Sequence, residues 1–151
     1  MSCALQDRIV AEARGWIGTP YHHQACLRGV GCDCLGLVRG VWAEHSGTPP
    51  LPVPAYTWDW SEPQGRELLA AGLEVHLIRK PPAMARPGDV LLFRMRRGAV
   101  AKHLGLMVAD GARPRFVHAY RGHGVIDSDL SAPWRRRLVA AFAFPPLTEK
   151  E

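Results

Sequence analysis

At 151 residues, 47% apolar and 22% charged, the chain has the size and balance of one ordinary domain. Such a length buries roughly 70% of the unfolded surface without staples. These values exclude wholesale disorder, collagen-like repetition and coiled coil, and no apolar run reaches the roughly 20 residues of a bilayer span. Nineteen Lys and Arg against fourteen Asp and Glu leave +5, concentrated at Arg94 to Lys102 and at Arg135 to Arg137. With no helix-turn-helix, zinc finger or stacking-aromatic pattern beside it, the excess reads as a solvated basic face and not as a nucleic-acid site.

The N-terminal residues Met1 to Arg8 begin a helix and lack the basic-then-apolar order of a signal peptide, so synthesis in the cytoplasm without signal-directed export is expected. Leu5, Ile9, Ala13 and Ile17 lie four apart, an amphipathic stripe that Gly18 and Pro20 stop. After a loop through Gly31, the run from Cys32 to Trp42 opens a second helix ending at Gly47. Asp33 is its N-cap, Cys34 lies in its first turn, and Val38, Val41 and Trp42 form its buried side.

Five prolines between Pro49 and Pro63, with Tyr56, Trp58 and Trp60, read as a loop, and its tryptophans are expected to fold back on the core in preference to stacking on sugar rings at a cleft rim. Ser61 with Gln64 resembles a capping box before a third helix from Arg66 to Ala71, closed by Gly72. The period then becomes two. Val75 and Leu77, Asp89 to Arg94, His103 to Val108, Arg115 to Tyr120, Val125 to Asp127 and Leu138 to Phe144 read as short strands split by glycine-containing turns. Helices first and strands after, in one domain over residues 1–151, predict an α+β fold with a mostly antiparallel sheet.

Cys34 occupies a position where the helix dipole and unpaired N–H groups favour a thiolate, which makes it a candidate nucleophile with a depressed pKa. The competing reading is a small buried apolar residue. A nucleophilic thiol needs a base, and the base a group that orients it. Alternation puts His103, Gly105 and Met107 on one strand face, with Gly105 leaving room in front of His103. His118 lies in the next strand, so pairing through Asp110 and Gly111 makes the two rings neighbours.

Zinc competes for the same residues, because Cys26, Cys32 and Cys34 with His22 or His23 supply enough ligands. The Cys-x-Cys spacing is not that of a zinc knuckle, no second knuckle follows, and no metal or other cofactor is expected. A Cys32/Cys34 redox pair also lacks its usual Cys-x-x-Cys spacing. His22, His23, His45, His76 and His123 read as structural or exposed.

In order, Asp33-Cys34-x-Gly36-Leu37-Val38, Pro87-Gly88-Asp89-Val90-Leu91-Leu92-Phe93, His103-x-Gly105-x-Met107-Val108 and His118-Ala119 resemble the NlpC-type cell-wall peptidases, papain-like cysteine hydrolases that cut peptidoglycan stem peptides. The resemblance covers about residues 5 to 145. The stretch Thr19-Pro20-Tyr21 and the wording from Cys32 to Gly40 are most similar to the branch encoded in phage and gene-transfer-agent tail clusters. The resemblance implies a papain-like fold with Cys34 as nucleophile, His103 as general base and acid, and His118 orienting His103. Tyr21 is implied beside an oxyanion hole that includes the Cys34 N–H, and Tyr21, Asp33 and Leu35 are implied as the oxyanion and substrate-binding set, Asp33 being chiefly the helix cap. Peptidoglycan is the implied substrate, cut at a γ-D-glutamyl to diaminopimelate bond, and tail hub or baseplate proteins of a phage-like particle are the implied partners. Leu35 departs from the family, whose peptidoglycan-cutting members carry a Ser there that helps hold the free amine of the stem peptide. Two other readings of the same residues stay open: a non-catalytic adaptor of the tail tip, and an acyltransferase.

Overall fold

The computed structural model describes residues 3–47 and 68–146. In chain order these form α1 (Cys3–Gly15), β1 (Cys26–Leu27), β2 (Gly31–Cys32), α2 (Cys34–Ser46), α3 (Leu68–His76), β3 (Ile78–Lys80), a single 3-10 turn (Pro82–Met84), β4 (Val90–Arg94), β5 (Ala101–Ala109), β6 (Arg115–Tyr120), β7 (Gly124–Asp129), α4 (Ala132–Arg137) and β8 (Leu138–Ala143). β1 and β2 pair as a small ribbon, while the main sheet runs β3-β8-β4-β5-β6-β7 with every described pairing antiparallel. The expected α+β architecture is thus the observed one. No helix among the described residues is long and apolar enough to cross a membrane.

Alternation in β5 gives the sheet two unlike faces. Leu104, Leu106 and Val108 join Val90, Leu92 and Val117 in a core shared with α1, α2 and α3, whereas Met107 packs with Leu91, Phe93, Phe116 and Leu130 on the other side. There the half-buried Trp134 of α4 covers the second cluster. The Pro87-Gly88-Asp89 motif starts β4: Gly88 takes a left-handed φ of 97°, and the buried Asp89 carboxylate accepts from Lys80 Nζ at 2.6 Å and the Arg86 N–H at 2.8 Å.

The first two helices follow the sequence reading with one change. Ile9 and Ala13 are buried, but the stripe continues into Trp16 and not Ile17, which is 44% exposed. The Trp16 ring lies where a Cβ on Gly40 of α2 would sit, so that glycine sets how closely α1 and α2 approach. Asp33 caps α2 and Gly47, at φ 73°, ends it, as expected.

The third helix differs at its C-terminal end. It runs through Gly72 to His76, because Leu69, Ala70, Leu73 and Leu77 recur at helical spacing on the buried side. That burial outweighs the roughly 1 kcal/mol an interior glycine costs. Val75 is therefore an exposed helical residue, and the first strand of the main sheet begins at Ile78. The predicted capping box of Ser61 and Gln64, the start at Arg66, and Tyr56, Trp58 and Trp60 fall outside the described residues. The remaining strands of the main sheet lie within two residues of their predicted limits, whereas β1 and β2 pair within and just after the stretch expected to be loop. α4 was not expected: one tryptophan among arginines makes no apolar stripe.

Candidate active site

Cys34 is the first residue of α2. The Asp33 carboxylate holds it there from both sides: Oδ1 accepts from the Gly36 N–H and Oδ2 from the Gln24 N–H, each at 2.7 Å. The second bond fixes Gln24 in a left-handed conformation, φ 66°, unusual for a residue with a side chain. A Cβ on Gly36 would overlap the Ala25 carbonyl, so glycine there lets the preceding loop lie directly against the helix start. The same loop brings Tyr21 alongside, through a bridge to Cys32 and the Cys32 N–H bond to the Pro20 carbonyl at 3.0 Å.

The two histidines meet as predicted. Phe116 and Val117 of β6 pair with Met107 and Leu106 of β5, and His103 Nε2 lies 2.8 Å from His118 Nδ1. Gly105 makes this possible, since a Cβ there would come within 2.8 Å of the Phe116 ring and 3.2 Å of His118 Cβ. His118 is fully buried and its Nε2 lies 2.9 Å from Ser128 Oγ on β7. The chain His103–His118–Ser128 has one consistent arrangement when His103 is neutral with its lone pair on Nδ1. Nε2–H of His103 then donates to His118 Nδ1, and Nε2–H of His118 donates to the Ser128 hydroxyl oxygen.

Trp134 forms the wall behind these rings, with its centroid 5.6 Å from that of His103 and 5.2 Å from that of His118. Sequence reasoning missed both Ser128 and Trp134. A serine on a half-exposed strand carries no spacing signal, and Trp134 belongs to the helix that the pattern did not reveal.

Cys34, His103, Tyr21, Asp33 and Leu35 all line one cleft of about 520 Å³ at the end of the sheet where β5 starts and β6 stops; His118 stands behind His103. Leu35 contributes an almost buried apolar floor. His23, read from the sequence as structural or exposed, also lines the cleft, with Nδ1 3.7 Å from the Asp33 carboxylate. Arg96, Lys102 and Arg121 complete the rim. Among the described residues, no three His, Cys, Asp or Glu side chains converge as a metal site. Cys26 and Cys32 face one another across the β1–β2 ribbon as free thiols.

The electrostatics correct one expectation. Burial pushes the Cys34 thiol up to about 12, with Asp33 adding to the rise; the N–H groups of Leu104, Leu35 and Cys34 pull the other way without prevailing. The helix start therefore does not depress this thiol, because desolvation of the anion outweighs the donors around it. Instead the S–H points to the Lys102 carbonyl at 3.7 Å. Burial likewise lowers His103 to about 3, with His118 contributing, and lowers His118 to about 4, with His123 contributing. Tyr21 is raised to about 12, by burial first and then by Cys34 and Asp33, so its phenol keeps its proton and remains a donor. At rest the Cys34 thiol, the His103 and His118 imidazoles and the Tyr21 phenol are thus all neutral.

The chain is similar to known proteins in sequence and fold. The chain is 28% identical over 134 residues to the murein DD-endopeptidase MepS/murein LD-carboxypeptidase of Escherichia coli K12, spanning 88% of this chain and 60% of that protein. It is 30% identical over 141 residues to a gamma-DL-glutamyl hydrolase of Bacillus subtilis, spanning 93% of this chain and 30% of that one. The chain thus covers less than two thirds of either relative. The solved NlpC/p60 domain of the peptidoglycan hydrolase SagA superposes with a TM-score of 0.62 at 23% identity, covering 92% of this chain and 98% of that one, and the expected papain-like α+β fold stands. Residues 18–143, from the loop that carries Tyr21 to the last strand of the sheet, match the NlpC/P60 family, and this chain belongs to it.

Proposed function

We propose that the chain is a cysteine peptidase that hydrolyses peptidoglycan stem-peptide amide bonds, with Cys34 as nucleophile, His103 as base and acid, and His118 as the group that orients His103. The observation that carries this reading is the single cleft holding a helix-start thiol and an imidazole whose far nitrogen is engaged by a second, buried imidazole. The names of the relatives, a murein endopeptidase and a gamma-glutamyl hydrolase, support the same substrate and bond class.

Because thiol and imidazole are both neutral at rest, the proton moves as the substrate reacts. His103 Nδ1 takes it from Cys34 Sγ, and the sulfur attacks the amide carbonyl carbon. The Cys34 N–H and the Tyr21 hydroxyl donate to the oxygen that gains charge. His103 then gives its proton to the leaving amine, the C–N bond breaks and a thioester remains. Water, losing a proton to His103, attacks that thioester, and the carboxylic acid departs as the thiol is restored.

The bond assigned is γ-D-glutamyl to diaminopimelate. The support is the gamma-DL-glutamyl hydrolase among the relatives, whose printed name gives a glutamyl bond. Leu35 provides no hydroxyl for a free amine, so this position does not hold the peptide's N-terminus. Incubating the protein with purified sacculi and identifying the released fragments by mass spectrometry tests the reading, with Cys34→Ala as control. Fragments ending in γ-D-glutamate support it, and intact sacculi with the wild type refute it.

We propose further that the protein is made in the cytoplasm and works as a component of a phage-like tail, next to hub or baseplate proteins. The support is the wording from Cys32 to Gly40 together with Thr19-Pro20-Tyr21. Mass spectrometry of purified particles is the test; particles that lack the chain would exclude this setting.

A further inference from the structure

The two basic stretches singled out in the sequence lie about forty residues apart, yet the fold brings them together. Phe93 at the end of β4 pairs with Leu138, the first residue of β8, and α4 immediately precedes β8. The arginine-rich end of α4 is therefore set beside the turn that follows β4. Between them lies a groove of about 960 Å³ lined by Arg94, Arg96, Arg97, Arg136 and Arg137, and no carboxylate is among its described lining residues.

Two features make this more than a solvated face. Some of the arginines are held: Arg94 Nε donates to the Ala99 carbonyl, and the Arg137 guanidinium sits 5.6 Å from the centroid of Trp134, the ring that backs His103 and His118. The groove also adjoins the active-site cleft, since Met95 and Arg96 line both. A polymer held in the cleft therefore has the groove next to it.

We propose that this groove is an extended binding site for a carboxylate-bearing polymer, holding the acidic groups of neighbouring wall peptides while one peptide lies at Cys34. Planar guanidinium forks such as those of the exposed Arg97 and Arg136 match carboxylates, and their clustered positive charge concentrates an anionic polymer near the cleft. The proposal rests on the peptidoglycan reading for the identity of the polymer. Its charge chemistry rests on the groove alone.

The test uses the full chain with Cys34→Ala, so that bound polymer is not cut, and sacculi stripped of phosphate-containing polymers. Removing two exposed charges with Arg97→Gln and Arg136→Gln should weaken co-sedimentation roughly tenfold at low salt, and by less at high salt where screening already weakens the parent. Arg97→Lys with Arg136→Lys should restore most of the binding, which separates loss of charge from loss of fold. Sacculi whose carboxyl groups have been converted to amides should bind the parent as weakly as native sacculi bind the double Gln variant. Equal binding of the double Gln variant and the parent to native sacculi overturns the proposal, as does undiminished binding of the parent to amidated sacculi. In a cleaving Cys34 background, the double Gln variant should lose more activity on sacculi than on a soluble stem peptide. Failure of the wild type to release any fragment would instead count against the peptidase reading, while the sedimentation arms still report on the groove.

Discussion

His103 is 8% exposed and its ring lies among Phe93, Tyr120, His118 and Trp134, so it serves packing as well as chemistry. His103→Ala should lose at least the roughly 10²- to 10⁴-fold expected for general acid–base catalysis. It should also cost about 2–4 kcal/mol of stability, because a buried ring is truncated. Rates on wall fragments and urea titrations of the same variant check both. At His118, Asn keeps an acceptor for the His103 Nε2–H and should lose less activity than Ala. Ser128→Ala removes the acceptor of the His118 N–H and leaves a buried donor unpaired, at about 1–3 kcal/mol. It should lower kcat more than it raises KM, and Ser128→Thr, which restores the hydroxyl, should recover part of the loss; equal kcat in wild type and Ser128→Ala would remove Ser128 from the relay. The two histidines were readable in the sequence because a period of two and a glycine placed them on facing positions. Ser128 was not, since its role depends on the pairing of His118 with Ile126 and the path of β7, which no local pattern encodes.

At the scale of elements, the start of α2 is fixed by backbone geometry more than by side-chain packing. Gly36→Ala would drive a methyl group into the Ala25 carbonyl and force either the loop or the helix to move. A cost of about 1–3 kcal/mol follows from such overpacking, with a loss of activity larger than that stability change explains, because Cys34 moves with the helix. Thermal melts and kcat/KM of Gly36→Ala test this, and unchanged activity would mean that the site tolerates displacement. Asp33→Ala should be comparably costly, since it uncaps the helix and releases Gln24. The Asp-Cys-x-Gly pattern announced this cap in the sequence. The third helix outruns its sequence signal because the buried leucines on either side of Gly72 outweigh that glycine, and α4 has no such signal because its one large apolar side chain has no periodic partner. The strands were legible wherever one face met a core, as in β5 and β6.

For the whole molecule, the buried neutral groups set a stability window. His103 and His118 have folded pKa values depressed to about 3 and about 4 from 6.5. Between those limits the unfolded chain binds protons that the folded chain refuses, so stability is lost as pH falls below about 6.5. Cys34 and Tyr21 are raised to about 12, so their contribution is present below their unfolded values of about 9 and 10 and is lost as pH rises towards 12. Melting temperature against pH should fall on both sides of neutrality, and His118→Asn should make the acid limb shallower. An acid limb of the same slope in that variant would show that the histidines do not set it.

The site is also assembled from pieces of very different chain separation. His103 and His118 meet across one short hairpin, 15 residues apart, whereas the Cys34 sulfur reaches the Lys102 carbonyl across 68. Short loops close faster than long ones, so the histidine pair should form early in folding and α2 should dock on it late. Until that docking, Cys34 is an ordinary thiol, more readily ionised than in the finished molecule. Its alkylation rate should therefore drop as the chain folds, which makes the intended nucleophile a clock for the last long-range step.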